Sequence, residues 1–339
     1  MERVTSTAHA RAGLLGNPSD GYGGKAIGLC LDDLRAQVHI EPAQALGFVA
    51  SDGAQSTFTS LLEARGRLGS ANLGDGIPLL LAALNRFCLA HPEFEARDPS
   101  DPGLRFTLRF ETNIPRQVGL AGSSAIVIAA LRGMARWFKV DLTATSLAKL
   151  ALEAETDDLG IAAGPMDRIV QAHEGLIVMD LAQPGNFLAC QSLDPNTLPP
   201  LFLAWHPQGG QPSGEIHAPL RQRWQAGDPE VMRTMKAFRD LVDEGLGFLG
   251  RADHAGFREA MNRNFELRRT LLPIAPSDLE MVKIATQHRA SAKLSGSGGA
   301  VVGAMASEAD FERIEKAYRG AGYEFLRPRA KLALGERDE

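Results

Sequence analysis

The stretch PRQVGLAGSSA, Pro115–Ala125, predicts more about the fold than any other part of this sequence. It follows RFTLRFET, Arg105–Thr112, in which apolar Phe and Leu alternate with charged or polar residues, the period-two pattern of a half-buried strand. The run that begins at Ser123, SSAIVIAALRGMARWF, is apolar nearly all round and predicts a buried helix. A glycine-containing loop is therefore expected to join a strand to the N-terminus of a helix.

Such a loop is suited to hold phosphate groups. Gly119 and Gly122 free the backbone to curl, and Ser123 and Ser124 open the helix. Backbone N–H groups in the first helical turn lack intrahelical partners, and the positive end of the helix dipole favours an anion. A tight strand-to-helix turn with a serine cap is the alternative interpretation of GxxGSS alone. The pattern leaves both interpretations open, so its context has to decide.

The composition predicts a globular protein of mixed class. The 339 residues are 44% hydrophobic, and a chain of this length suggests two domains at ~100–200 residues each. Strand-like and helix-like segments alternate, which predicts an α+β fold. The stretch 183–215 is rich in Pro, Gly, Asn and Gln and favours connections. We therefore expect an N-terminal domain at 1–190 and a C-terminal domain at 191–339.

The same patterns predict further elements along the chain. Caps, periodicity and turn residues indicate helices at about 143–158, 228–250, 252–272, 277–288 and 308–321. They also indicate strands at 175–181 and 201–205, and a glycine-rich turn into a strand at 295–305.

The charge and the cysteines argue against several function classes. A net charge of -5 gives no attraction for nucleic acid or anionic lipid. Met1 to Ala12 lack a basic stretch followed by an apolar run, and no window reaches the ~18–20 apolar residues of a membrane span, so a cytoplasmic protein is expected. Cys30, Cys88 and Cys190 are far apart and outside any CxxC spacing, which argues against a disulfide framework or a zinc site.

Three distant segments resemble, in order, the three motifs of the GHMP kinase superfamily. ARAGLLGNPSDGYGG at 10–24 is similar to the galactokinase-type pattern GRVNLIGEHTDYNGG, Pro115–Ala125 resembles PxxxGLxSSA, and KLSGSGGAVVG at 293–303 looks like the third motif. The resemblance implies a two-domain α+β kinase with ATP and substrate in the cleft between its domains, and ATP and Mg²⁺ as cofactors. By the same resemblance, the ATP phosphates are held by Pro115, Gly119, Leu120, Ala121, Gly122, Ser123, Ser124, Ala125, Gly296, Ser297 and Gly298.

AETDDLGIAAGPMDR at 154–168 resembles the galactokinase pattern AExxxxGxxxGxMDQ. Mg²⁺ prefers hard oxygen ligands, and the resemblance implies that Ser124 and Glu155 supply them. It also implies that Asp167 is the catalytic base and that Arg11 stabilises it. Taken singly, Glu155 could be a solvated helix carboxylate, Asp167 a helix cap and Arg11 part of a surface ion pair.

The substrate is indicated by a closer resemblance to the glucuronokinases. It is carried by GLLGNPSDGYGGK at 13–25, TNIPRQVGLAGSSAIV at 112–127, SGEIHAPLRQRWQAGD at 213–228 and MNRNFELRR at 261–269, whereas Pro165-Met166 departs from that family. The resemblance implies phosphorylation of D-glucuronate at its anomeric hydroxyl to give glucuronate 1-phosphate. A kinase for another sugar acid, a hexose or a heptose, and a catalytically silent ATP and sugar sensor, are the alternatives.

Charge supports a uronic acid as the substrate. Asn17 stands where the galactokinase-type pattern has Glu, and a glutamate there would repel a uronate by on the order of 1–4 kcal/mol at ~4 Å. The cationic candidates for the substrate carboxylate are Lys25, Arg168, Arg221 and Arg263. The resemblance implies substrate contacts from Asn17, Asp20, Gly23, Gly24, Asp167, Arg168 and His217.

Overall fold

The computed structural model describes residues 2–70, 73–98, 100–182, 189–209 and 213–333, apart from the side chains of 213–218. The chain divides into two compact units. The first comprises residues 1–10, 34–114 and 122–172, and the second comprises residues 11–33, 115–121 and 173–339. Among the helices that the structure describes, none is long and apolar enough to cross a lipid bilayer.

The strands and helices follow one another along the chain in mixed order. The strands are β1 Val4–Leu15, β2 Lys25–Pro42, β3 Leu46–Val49, β4 Gln55–Phe58, β5 Phe106–Thr112, β6 Leu176–Asp180, β7 Cys190–Leu193, β8 Leu201–Trp205, β9 Ser291–Leu294, β10 Ala300–Ala304 and β11 Glu324–Leu326. The helices are α1 Leu61–Gly66, α2 Ile77–Ala90, α3 Gly122–Phe138, α4 Ala144–Glu153, α5 Met166–His173, α6 Ser213–Gln225, α7 Pro229–Gly250, α8 His254–Leu271, α9 Pro276–Gln287 and α10 Phe311–Gly320.

The first unit is built on the sheet order β4-β3-β5-β2. Strand β5 pairs antiparallel with the second half of β2, from Ala36 opposite Thr112 to Pro42 opposite Phe106, and parallel with β3. Its Phe and Leu residues are buried while the intervening residues are not, which is the expected result of period-two alternation. Helix α3 is buried over most of its circumference, as its nearly continuous apolar sequence requires.

The second unit holds an antiparallel sheet in the order β11-β8-β10-β9. Within the same unit, the first part of β2 pairs antiparallel with β6, and β6 with β7. An apolar core covers the four-stranded sheet, with Phe202, Val301 and Tyr318 among its buried members. This core fixes β9 and β10, and therefore the glycine-rich turn that connects them.

Most of the predicted elements are confirmed. They correspond to β5, β6, β8, β10, α3 and α7–α10. The helix predicted at 143–158 consists of two parts, since α4 gives way to a π-helical turn at Ala154–Asp158. The N-terminal strands were not predicted. Arg11 to Leu15 belong to β1, so only the remainder of the first glycine-rich motif forms a turn.

Candidate active site

The loop before α3 has an alternating backbone. The φ angle is positive at Gln117, Gly119 and Ala121, at 55°, 70° and 60°. Val118 and Leu120, between them, are buried, and the loop belongs to the second unit. Left-handed residues other than glycine cost on the order of 1–3 kcal/mol each and are typical of ligand-binding segments. A backbone with alternating handedness turns N–H groups toward one side, which is how backbone nests bind anions.

Two serines open helix α3 beside a buried carboxylate. Ser123 donates from Oγ to Oε1 of Glu155 over 2.7 Å, and Ser124 donates to Oε2 over 2.8 Å. Ser124 and Glu155 are fully buried, as is Ala125, whereas Ser123 is half-exposed. All of them lie in the first unit, together with Gly122, the first residue of α3. The Ser124 hydroxyl and the Glu155 carboxylate thus lie side by side at the first turn of α3.

The π-helical turn at Ala154–Asp158 carries Glu155. Such turns are rare and occur often at functional sites, because the wider turn changes the direction in which its side chains point. Asp158, three residues after Glu155, accepts hydrogen bonds from Nε and Nη2 of Arg86 over 2.8 and 2.6 Å. The turn therefore directs one carboxylate to the start of α3 and another to α2.

Arg168 is buried against the same carboxylate. Its Nε donates to Oε2 of Glu155 over 2.6 Å, and its Nη2 forms an ion pair with the same oxygen. Its Nη1 donates to the carbonyl oxygen of Gly164 over 2.9 Å and lies 3.7 Å from Oδ2 of Asp167. Asp167 is in the first turn of α5 with 19% of its side chain exposed. The structure thus groups Ser124, Glu155, Asp167 and Arg168 within the first unit.

The second unit brings the loop at 115–121 against the glycine-rich turn after β9. A Cβ built on Gly296 would lie 2.3 Å from the carbonyl oxygen of Gly119, and one built on Gly119 would lie 2.9 Å from the Ser297 nitrogen. Arg11 joins them, since its Nη1 donates to the carbonyl oxygen of Gly119 over 2.7 Å. Glycine is therefore required at both positions by close backbone approach. In the turn after β9, Gly298 has a φ of 142°. Pro115 is the first residue of the loop at 115–121.

Asn17 follows β1 and is buried in a polar environment. Lys293 Nζ donates to Asn17 Oδ1 over 2.6 Å, and Asn264 Nδ2 donates to the Asn17 carbonyl oxygen over 3.3 Å. Asn264 also accepts from the backbone nitrogen of Gly16 over 2.7 Å through Oδ1. These contacts lie within the second unit and fix the polypeptide at the end of β1.

The residues after Asn17 form a tight turn. Asp20 lies half-buried in a 3₁₀ turn at Ser19–Tyr22, and Gly23 ends it with a φ of 72°. A Cβ on Gly24 would lie 2.1 Å from Oγ of Ser19, so only glycine fits there. Glycine at position 24 is thereby explained by packing inside the turn.

The cations proposed for a substrate carboxylate differ in their surroundings. Lys25 Nζ donates to Asp243 over 2.6 Å, and Arg263 Nη1 lies 2.5 Å from Glu244. Arg168 pairs with Glu155, as described, while Arg221 lies in α6 close enough to Tyr22 to lower its phenolic pKa against the larger raising effect of burial. His217 is also in α6, but its side chain lies outside the described residues.

Two buried cations near the predicted substrate segment were not found from the sequence. Lys293 precedes the third glycine-rich turn, and Arg268 Nη2 donates to the carbonyl oxygen of Ser297 in that turn over 2.9 Å. Within the described part of the chain, Arg268 Nε and Ser295 Oγ are buried without hydrogen-bond partners. Burial lowers the pKa of Arg268 to about 10. The sequence offered one signal for these residues, namely that Lys293 opens the motif at 293–303 and Arg268 lies in the segment at 261–269.

The donor set at α3 fits a small, hard divalent cation. Mg²⁺ is held in proteins by one or two carboxylates, hydroxyls and substrate phosphates, and Ser124 Oγ and Glu155 Oε2 provide such oxygens 2.8 Å apart. The N-terminus of α3, in the first unit, suits an anion through the backbone N–H groups of its first turn. The alternating loop at 115–121, in the second unit, suits an anion as a backbone nest. Groups of three or more His, Cys, Asp or Glu side chains with metal-ligand geometry do not occur among the described residues.

Comparison with known proteins gives matches to both halves of the chain. The family model described as GHMP kinases N terminal domain matches residues 79–175, and the model described as GHMP kinases C terminal matches residues 246–324.

Two relatives that match most of the chain lead to the same family. Glucuronokinase 1 of Arabidopsis thaliana is 35% identical over 315 residues, which cover 88% of this chain and 84% of that protein. Probable glucuronokinase 2 of Arabidopsis thaliana is 36% identical over 309 residues, 86% and 82% of the two chains. The crystal structure of the Methanococcus jannaschii mevalonate kinase covers 97% of this chain and 98% of its own with a TM-score of 0.75. At 18% identity, it shows the fold alone.

Proposed function

Since the chain belongs to the GHMP kinase family, we propose that it transfers the γ-phosphate of ATP to the anomeric hydroxyl of D-glucuronate. The new bond joins the anomeric oxygen to the γ-phosphorus, and the bond from that phosphorus to the β,γ-bridging oxygen breaks. ADP and glucuronate 1-phosphate are the products. The chain is a sugar kinase by its relatives, two of which are named glucuronokinases.

The observation that carries the proposal is the grouping of three side chains: Ser124 at the start of α3, Glu155 in the π-helical turn and Asp167 in the first turn of α5. Phosphoryl transfer needs little covalent chemistry from the protein and depends on positioning and charge neutralisation. Ser124 and Glu155 would hold Mg²⁺, and the ion would neutralise charge on the phosphates when it is bound. The N-terminus of α3 and the loop at 115–121 would bind the phosphates through backbone N–H groups.

Asp167 is the proposed general base. Its side chain is partly exposed and lies in the first turn of α5, where a carboxylate is favoured by the helix dipole. In the proposed reaction it takes the proton of the anomeric hydroxyl as that oxygen attacks phosphorus. Arg11 is the proposed partner of this carboxylate, and its own position is fixed by its hydrogen bond to Gly119.

The turn that begins at Asn17 supports a uronic acid as the substrate. Asn17 places an uncharged amide where a carboxylate would repel the substrate, and Asp20, Gly23 and Gly24 continue the same turn. The proposal includes an N-terminal domain at 1–190 and a C-terminal domain at 191–339. It also includes a cytoplasmic location.

A coupled ADP-release assay with MgATP tests the function. Glucuronate, galacturonate, galactose, glucose and mannose serve as acceptors, and phosphorus NMR identifies the product. An anomeric phosphate formed with glucuronate alone is the expected result. Faster turnover with a neutral sugar would exclude the uronate assignment but leave a sugar kinase, and ATP binding without sugar-dependent turnover would favour the sensor.

A further inference from the structure

We propose that Lys293 is a positioning residue that orients the Asn17 amide, and that the amide oriented in this way selects a sugar with a carboxylate. This inference rests on the proposed function and adds a residue that the sequence motifs do not assign to the substrate. Its basis is the contact between the Lys293 ammonium and the side-chain oxygen of Asn17.

Lys293 is a fully buried cation whose contacts are all to uncharged oxygens. Its Nζ donates to the carbonyl oxygen of Gly13, to Asn17 Oδ1 and to the carbonyl oxygen of Leu294, over 2.6, 2.6 and 2.7 Å. These three bonds use all three of its donors. In the described part of the chain no carboxylate lies within ion-pair distance of Nζ, so its charge is solvated by dipoles and has no direct counter-ion.

This contact determines which way the Asn17 amide points. An ammonium group donates and cannot accept, so the atom that faces Nζ must be the amide oxygen. The Nδ2 group is therefore directed away from Lys293, and it has no hydrogen-bond partner among the described residues. A donor fixed in this way suits an acceptor on the ligand, above all a carboxylate oxygen.

Two further cations lie near Lys293. The positive charges of Arg268 and Arg11 add to burial in lowering the pKa of Lys293, and Asp20 opposes them. The three acceptor oxygens around Nζ nevertheless require three donor protons, which only the ammonium form has. These residues all belong to the second unit. A carboxylate at position 17 would pair with Lys293 and cancel its charge, whereas the amide transmits a positive potential to the ligand.

The test compares glucuronate with glucuronamide, a neutral sugar of nearly the same shape. The kcat/KM ratio of the two sugars and their dissociation constants by calorimetry are measured for the wild type, Asn17→Asp and Asn17→Ala. We expect Asn17→Asp to lower the preference for glucuronate over glucuronamide by about tenfold or more. The substitution replaces the amide donor with a carboxylate, which repels the carboxylate of the sugar. Asn17→Ala, which adds no charge, should lower the preference by a smaller factor. Thermal unfolding verifies that each variant is folded, and Asn17→Asp should be at least as stable as the wild type because Lys293 gains a counter-ion.

The outcomes separate this inference from the proposed function. A wild type that does not phosphorylate glucuronate contradicts the function and the inference together. A wild type that prefers glucuronate, with the same preference in both variants, overturns the inference alone. Equal losses for the two sugars would mean that the pair only maintains the loop, and would also overturn it.

Discussion

Arg168 Nε donates to Oε2 of Glu155 over 2.6 Å, and both side chains are buried. The same carboxylate accepts hydrogen bonds from Ser123 and Ser124, so both of its oxygens are satisfied. A buried carboxylate with one oxygen held by two nitrogens of an arginine keeps a fixed orientation, because any rotation would leave charged groups unpaired in a medium of low dielectric constant. The proposed magnesium ligand is therefore held in place before any ligand binds, and the ion would replace the hydrogen bond between Ser124 and Oε2.

Removing the arginine should destabilise the protein. Arg168→Met leaves the Glu155 charge buried without a cation, and we expect the free energy of unfolding in urea to fall by about 3–5 kcal/mol. Arg263→Met is the matched control, since Arg263 pairs with Glu244 on the surface with about half of each side chain exposed, and should cost about 0–1 kcal/mol. The double variant Arg168→Met/Glu155→Gln should recover part of the loss. Equal losses for the two single variants would contradict this account.

The two serines of α3 should differ in their effect on magnesium. Ser124→Ala removes the buried hydroxyl proposed as a ligand, and we expect the Mg²⁺ concentration for half-maximal activity to rise at least about tenfold. Ser123→Ala removes only a hydrogen bond to Oε1 of Glu155 and should have a smaller effect. Titration of both variants with Mg²⁺ at saturating ATP decides the matter, and equal shifts would argue against Ser124 as the ligand.

The base is tested by a change of one carboxylate to an amide. Asp167→Asn keeps the shape of the side chain but cannot accept the proton, so kcat should fall by about 10²–10⁴ while the dissociation constant of MgATP stays the same. Asp157→Asn is the control in the same stretch of chain, because Asp157 is 57% exposed and pairs with Arg86. If both variants retained wild-type kcat, Asp167 would not be the base.

The contact between the two glycine-rich segments predicts a steric effect. Gly296→Ala puts a Cβ against the carbonyl oxygen of Gly119, and the resulting displacement should raise the KM for ATP and lower the stability by about 1–3 kcal/mol. Gly320→Ala, at the end of α10 with open space around it, should leave KM unchanged and stabilise the helix by up to about 1 kcal/mol. Nucleotide kinetics and thermal unfolding measure the two effects.

One cysteine should be protected by its environment. Burial raises the pKa of the Cys88 thiol to about 12, and the thiolate is the reactive form, so its population at pH 8 is very small and grows only as the pH approaches that value. Alkylation by iodoacetamide followed by peptide mass spectrometry should show Cys88 unmodified in the native protein and modified in urea. Rapid native labelling at pH 8 would contradict the burial of this residue.

Local patterns account for what could be predicted of the fold. Strand β5 and helix α3 have clear periodicity, and caps such as Thr143, which accepts from the Ser146 nitrogen over 3.1 Å, mark helix ends. Strand β2 has a run of buried residues at Ala26–Leu31 without alternation, so it lacks the strand pattern. A π-helical turn has no established sequence pattern, and the one that carries Glu155 was not predicted.

The residue types of the site could be predicted, but their partners could not. Ser124, Glu155 and Asp167 were assigned by resemblance to the motifs of the GHMP kinases, and hydroxyls and carboxylates are the groups that phosphoryl transfer needs. Their roles stay predictions. From the sequence, Arg168 was a candidate for the substrate carboxylate, and nothing in the sequence indicated its contact with Glu155. Lys293 and Asn17 are 276 residues apart, and the tertiary fold brings them together.

The π-helical turn at Ala154–Asp158 makes the number of residues in this segment as important as their identity. A regular α-helix rotates by about 100° per residue, so loss of one residue from the widened turn would rotate the Glu155 carboxylate away from Ser124. Substitutions of neighbouring side chains would be far less disruptive. Over evolutionary time, insertions and deletions between Thr143 and Glu155 should therefore be eliminated more strictly than exchanges of one residue for another.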